Sequence, residues 1–182
     1  MAPPGEGTRP TSDRVREALF SSLAARIGSD LSAGPVLDLF AGSGALAFEA
    51  LSRGAARAVL VEKSRDALRC IADNAAALDA KEIVTVVAGD AFGATLRRAT
   101  RLGPYALLLV DPPYRIEPAR IVAAVESLAA AGAVVTGAAL VWEHAASRSV
   151  PEPQGFAREQ TYRYGGTSVT LMRFYEDGKA AR

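Results

Sequence analysis

At 182 residues the chain is long enough for one domain with its own core, and its 49% hydrophobic and 23% charged content is ordinary for a globular protein. A net charge of +1 gives no global footprint for nucleic acid, so any such affinity has to come from a local patch. The single cysteine, Cys70, excludes an internal disulfide and a multi-cysteine zinc site, and no apolar run is long enough to span a bilayer.

The start, Met1-Ala2-Pro3-Pro4, lacks the basic head and apolar core of a signal peptide, so the expected location is cytoplasmic. Residues 1–12 are rich in Pro, Gly and Thr and read as an extended arm; residues 13–182 read as a single domain. Thr11 or Ser12 can cap a helix in which Val15, Leu19, Leu23 and Ile27 recur at four-residue spacing. After Gly34-Pro35, strand-like runs at 36–40, 57–62, 83–88, 105–110 and 138–143 alternate with helix-like segments near 44–53, 64–79, 91–101 and 117–131. That alternation implies a mainly parallel sheet with helices on both faces. Pro151, Pro153 and Gly155 break it. Phe156 to Tyr164 and Thr167 to Tyr175 then flank Gly165-Gly166, a hairpin signal.

In an open parallel sheet, ligands bind beyond the carboxyl ends of the strands. An acid closes or nearly closes each of the first four: Asp38, Glu62, Asp90 and Asp111, spaced 24, 28 and 21 residues apart, about one strand-helix unit each. All four are expected on one sheet edge. Val36 to Gly44 runs a strand into a glycine loop, where Gly42 and Gly44 let the backbone turn and approach a ligand without a Cβ in the way. Asp38 suits the cationic methionine portion of S-adenosylmethionine, Glu62 the ribose hydroxyls, and Asp90 the adenine amine. No phosphate or metal is called for.

At the fourth strand, Asp111-Pro112-Pro113-Tyr114 presents a carboxylate, two rigid imino acids and an aromatic face together. The Asp111 carboxylate and the Pro112 carbonyl can accept both N–H groups of an exocyclic base amine, a poor nucleophile while conjugated with its ring. That rehybridises the nitrogen and aims its lone pair. Prolines stiffen the loop, and Tyr114 offers stacking worth ~1–3 kcal/mol per base. The pairing of a cofactor loop with a base-gripping loop reads as an S-adenosylmethionine-dependent amino-methyltransferase.

Gly42-x-Gly44-x-x-Ala47 followed by Glu62 also satisfies a dinucleotide fingerprint, but Asp38 would repel a pyrophosphate and the Asp111 turn has no job in a dehydrogenase. Cys70 reads as a packed helix residue rather than a nucleophile, His144 as structural, and Arg97, Arg98 and Arg101 as a solvated helix end.

Arg9-Pro10-Thr11-Ser12-Asp13-Arg14-Val15-Arg16-Glu17-Ala18-Leu19-Phe20, Leu37 to Leu46, Asp111 to Tyr114, Glu49 to Ala55 and Tyr164-Gly165-Gly166-Thr167 together resemble the RsmD family of bacterial 16S rRNA guanine-N2 methyltransferases, over about residues 9 to 175. The resemblance implies a class I methyltransferase (Rossmann-like) α/β fold with a seven-stranded, mostly parallel sheet ending in an antiparallel hairpin. Carried over by position, Asp111, Pro112, Pro113 and Tyr114 form the catalytic loop. Asp38, Phe40, Ala41, Gly42, Gly44, Glu62, Lys63, Asp90 and Ala91 hold S-adenosylmethionine, and Arg9, Thr11, Arg14 and Arg115 join Tyr114 toward RNA. The implied partner is 16S rRNA in the small subunit or its assembly intermediate, met by a monomer with no metal and no membrane contact. Two departures stand out: Ala47 replaces a usual glycine, and the basic, glycine-rich hairpin that usually precedes the Arg-Pro-Thr segment is not in this sequence, which bears on RNA affinity rather than on the cofactor. The rival readings are a DNA adenine-N6 or cytosine-N4 methyltransferase and a non-catalytic ribosome-assembly factor that binds cofactor and RNA.

Overall fold

A computed structural model describes Phe20 and residues 34–176. The expected arm, and the capped helix apart from Phe20, lie outside the described residues. Phe20 itself is helical and fully buried. The chain then forms β1 (Val36–Asp38), α1 (Ala45–Ser52), β2 (Ala58–Glu62), α2 (Arg65–Ala77), a 3-10 turn (Lys81–Ile83), β3 (Val84–Ala88), α3 (Gly93–Thr100), β4 (Tyr105–Val110), α4 (Pro118–Ala130), β5 (Val134–Ala145), β6 (Phe156–Tyr164) and β7 (Thr167–Phe174).

The seven strands lie in the order β3-β2-β1-β4-β5-β7-β6. β1 to β5 pair in parallel, and β7 slots in antiparallel between β5 and β6. Alternation along the central strands sorts the core into two layers, because successive side chains leave a strand on opposite faces. Leu37, Val59, Leu108 and Leu140 join Leu96 and Ala99 of α3 and Ile121, Val125 and Leu128 of α4 on one side. Val36, Leu60, Leu107 and Leu109 join Ala47 and Phe48 of α1, Ile71 and Ala75 of α2, and Phe20 on the other. The helices are therefore on both faces, as the alternating pattern implies.

Local chemistry sets the helix starts. The Ser64 hydroxyl accepts the Ala67 N–H at 3.5 Å at the start of α2, with Asp66 in the first turn. Pro118 opens α4, where its missing N–H costs nothing. Cys70 is half-buried at the margin of the packed face of α2, so the packed position read from the sequence is only partly realised. Arg97, Arg98 and Arg101 are exposed, as expected.

Two strands differ from the sequence reading by more than one residue at an end. β1 ends at Asp38 rather than residue 40, since the chain must leave the sheet for the glycine loop; the Leu39 N–H still donates to the Leu109 carbonyl and the Ala41 N–H to that of Val61, each at 3.0 Å. β5 runs from 134 to 145 rather than 138 to 143, because it has a ladder partner on each side. His144 is thus inside the strand, its Nε2 2.9 Å from Thr170 Oγ1 on β7. Burial holds its imidazole below the ordinary value, in keeping with a structural role.

Leu108 is fully buried at the centre of the sheet. Leu108→Ala is expected to lower stability by about 2–5 kcal/mol, read as a fall in the urea midpoint with little change in slope; an unchanged midpoint would contradict the packing described.

Candidate active site

The carboxyl ends of β1 to β5 border a cavity of about 550 Å³, within the usual range for a small-molecule site. It opens where the strand order reverses between β1 and β4, the place an open parallel sheet offers a ligand. Phe40 and Gly42 line it from the glycine loop, and Glu62 and Lys63 from the end of β2. Asp90 and Ala91 contribute from the loop after β3, and Asp111, Pro112 and Pro113 from the end of β4. Tertiary structure therefore brings together three of the four strand-end acids as cavity lining, with Asp38 beneath them.

The two loop glycines have different tasks. Gly42 has φ 54° and, among the described residues, nothing within 4 Å of where a Cβ would sit, so its backbone is left open toward the cavity. Gly44 has φ 81°, and an added Cβ would lie 2.6 Å from Phe48 Cε2 and 2.9 Å from Leu60 Cδ2. Its role is to let α1 pack against β2, and it does not line the cavity. Asn74 of α2, which the sequence did not single out, donates from Nδ2 to the Ser43 carbonyl at 3.0 Å and ties the loop to the neighbouring helix.

Glu62 holds the loop as well as facing the cavity. Its Oε2 accepts the Gly42 N–H at 2.7 Å, and its Oε1 accepts those of Lys63 and Ser64 at 2.8 and 2.7 Å. A carboxylate offers about four lone-pair sites, so about one remains for an incoming hydroxyl. The rim is closed more weakly: Lys63 Nζ is 3.4 Å from Asp90 Oδ2, with both side chains more than half exposed, a pair that adds little stability.

Asp38 is 1% exposed. Its Oδ1 accepts the Phe40 N–H at 3.3 Å, while Oδ2 is buried without a hydrogen-bond partner among the described residues. Burial, reinforced by the nearby charges of Asp111 and Glu62 against the opposing Phe40 bond, pushes its carboxyl up to about 7. A buried, unsatisfied carboxylate oxygen under a cavity is a site for a cation or a proton.

The β4 loop is braced from across the sheet. Tyr114 Oη lies 3.1 Å from Thr167 Oγ1, at the start of β7. The Ala146 N–H donates to the Gly166 carbonyl at 2.9 Å, so the hairpin tip also holds the segment after β5. The Tyr-Gly-Gly-Thr turn thereby gains a positioning role that its turn chemistry alone does not reveal. Tyr114 borders a narrow crevice of about 20 Å³ beside the main cavity, and Arg115 is exposed next to it. Ala41 is buried behind the loop. Arg9, Thr11 and Arg14 lie outside the described residues. Glu143, at the cavity edge of β5, lines both spaces; as a fifth strand-end acid it carried the same signal as the other four.

Raising an acid's folded value from 3.8 to about 7 means that the folded state keeps a proton that the unfolded chain loses. This contribution is complete below pH ~4 and disappears as pH rises to ~7. Asp38→Asn is therefore expected to gain stability relative to the native chain as pH climbs from 4 to 8. Parallel unfolding curves with a pH-independent difference would show that Asp38 does not hold its proton.

The family model described as conserved hypothetical protein 95 matches residues 1–173. The chain is 31% identical over 176 residues to YlbH of Bacillus subtilis, named as a candidate rRNA methyltransferase, an alignment that spans 93% of this chain and 90% of that protein. It is 43% identical over 113 residues to the ribosomal RNA small subunit methyltransferase D of Escherichia coli, covering 62% of this chain and about half, 53%, of that one. Among solved structures, that of yhhF of Escherichia coli, a candidate methyltransferase, superposes with a TM-score of 0.75 at 32% identity, covering 96% of this chain and 92% of that one. The fold is the class I, Rossmann-like fold of S-adenosylmethionine-dependent methyltransferases, and the chain belongs to the conserved hypothetical protein 95 family, the RsmD family.

Proposed function

We propose that this protein transfers a methyl group from S-adenosylmethionine to the N2 amine of a guanine in 16S rRNA, acting on the small ribosomal subunit or its assembly intermediate as a cytoplasmic monomer. The observation that carries the reading is the convergence of Gly42, Glu62 and the Asp111–Pro112–Pro113 loop on one cavity, with the buried Asp38 close enough to feel the charges of Glu62 and Asp111. The names of the relatives support rRNA as the acceptor.

The cradle fits the cofactor on its own chemistry. Asp38 Oδ2 needs a cationic partner, Gly42 leaves the backbone approachable, and Glu62 retains acceptor capacity for a ribose hydroxyl. The cofactor supplies an electrophilic methyl on a positively charged sulfur. Asp111 and the Pro112 carbonyl accept the two amine hydrogens and turn the nitrogen lone pair toward that methyl. Tyr114, braced on Thr167, stacks on the base and holds its plane. Asp111 is also the group on hand to take the amine's surplus proton, directly or through solvent, once the transfer that the bound cofactor would supply has occurred. Orientation supplies most of the rate gain, with reacting atoms ~3–3.5 Å apart, after the base has been extruded from its stack at a few kcal/mol.

Purified protein, tritiated S-adenosylmethionine and unmodified 30S subunits are expected to yield label that digests to N2-methylguanosine. Label confined to duplex DNA would favour an adenine-N6 or cytosine-N4 enzyme. Asp111→Ala should reduce transfer by about 10²–10³-fold; full activity in that variant would refute the mechanism. Tyr114→Ala should weaken acceptor binding by roughly 1–3 kcal/mol, seen in KM more than in cofactor affinity. Because a cation selects the ionised form of Asp38, cofactor binding should tighten by up to about tenfold per pH unit below 7 and level off above it. Titration calorimetry in two buffers of different ionisation heat would detect the released proton.

A further inference from the structure

Glu143 has no assigned role, yet it occupies a telling position. Val110 of β4 pairs with Trp142 of β5 in the parallel ladder, so Asp111 and Glu143 follow side by side on adjacent strands. Glu143 is half-buried and lines both the main cavity and the crevice beneath Tyr114, and it shares that double position with Pro112, Pro113 and Ile116. The crevice has room for about one water, so an acceptor base sits at the mouth where the two spaces meet. Three residues able to accept hydrogen bonds, Asp111, Pro112 through its carbonyl, and Glu143, line the main cavity there.

We infer that Glu143 is the residue that selects guanine over the other amine-bearing bases, by accepting the ring N1–H while Asp111 and the Pro112 carbonyl take the N2 hydrogens. This rests on the guanine-N2 reading above. Guanine presents three donors in a row along that edge, N1–H and the two hydrogens of N2. Adenine and cytosine carry their amine beside an unprotonated ring nitrogen. Turned the same way, either would set a lone pair against the Glu143 carboxylate and leave both without a proton between them. A carboxylate beside the amine-gripping loop therefore admits one base and repels two, and the repulsive element contributes as much selectivity as the bond. A residue so placed positions and discriminates the base, and it does not take part in bond making.

The test uses the full chain and 30S subunits assembled from 16S transcripts whose target guanosine, located first by digestion of the native product, is kept or replaced by 2-aminopurine. That analogue retains the 2-amine and lacks the N1 hydrogen. The native protein should prefer guanine over 2-aminopurine by roughly 10–100-fold in kcat/KM. E143Q, whose amide can also donate, should shrink that preference to about threefold or less, while S-adenosylmethionine affinity measured by calorimetry stays within about threefold. The two acceptors are the same for both proteins, so any difference in their intrinsic reactivity cancels. A native protein that methylates both acceptors equally would overturn the inference without any variant. So would an E143Q that keeps full discrimination, or one that loses more than tenfold in cofactor affinity and marks Glu143 as a cofactor ligand. If native protein yields no N2-methylguanosine from guanosine-bearing subunits, the guanine-N2 reading itself fails and this inference goes with it.

Discussion

Parallel pairing around β1 is the constraint on which the site depends. β1 has only three residues, but it is flanked by β2 and β4 in matched register, and the main-chain bonds from Leu39 to Leu109 and from Ala41 to Val61 carry the pairing past its last residue. Because the three strands end within two residues of one another in the ladder, the loops that follow them must share the same space. The glycine loop, the Glu62 carboxylate and the Asp111 turn meet there for that reason alone. The two side-chain layers fill the faces above and below with Leu, Val, Ile and Ala, so the sheet is rigid where the loops leave it.

That geometry crowds negative charge at a dry edge. Asp38 cannot spread its charge into water, and its neighbours Asp111 and Glu62 make ionisation harder still. Glu62 instead accepts three backbone N–H groups, which fix the loop. Glu62 is thus satisfied by the fold, whereas Asp38 keeps one oxygen that no described residue bonds.

The C-terminal hairpin is less peripheral than its position at the sheet edge implies. β7 runs between β5 and β6, which extends β5 to twelve residues and presents Glu143 at the cavity. Its first residue, Thr167, meets the Tyr114 hydroxyl, and the turn before it holds Ala146. The Asp111 side of the cavity is thereby built from three strands that are distant in sequence. The glycine-loop side is built from the first two strand-helix units and the loop after β3.

That asymmetry explains what was legible in the chain. Local chemistry determined the strand-helix alternation, the glycine loop, the Gly165-Gly166 turn and the spacing that set Glu62, Asp90 and Asp111 on one edge, because each depends on residues near in sequence or on a repeat of fixed length. Tertiary structure alone decided that Asp38 is sealed beneath the cavity, that Glu62 is largely occupied by the loop it faces, that Gly44 serves packing, and that Asn74 and Thr167 brace the loops of the site. Burial and hydrogen-bond partnership depend on which elements become neighbours across the sheet. No periodicity within a single segment carries that information.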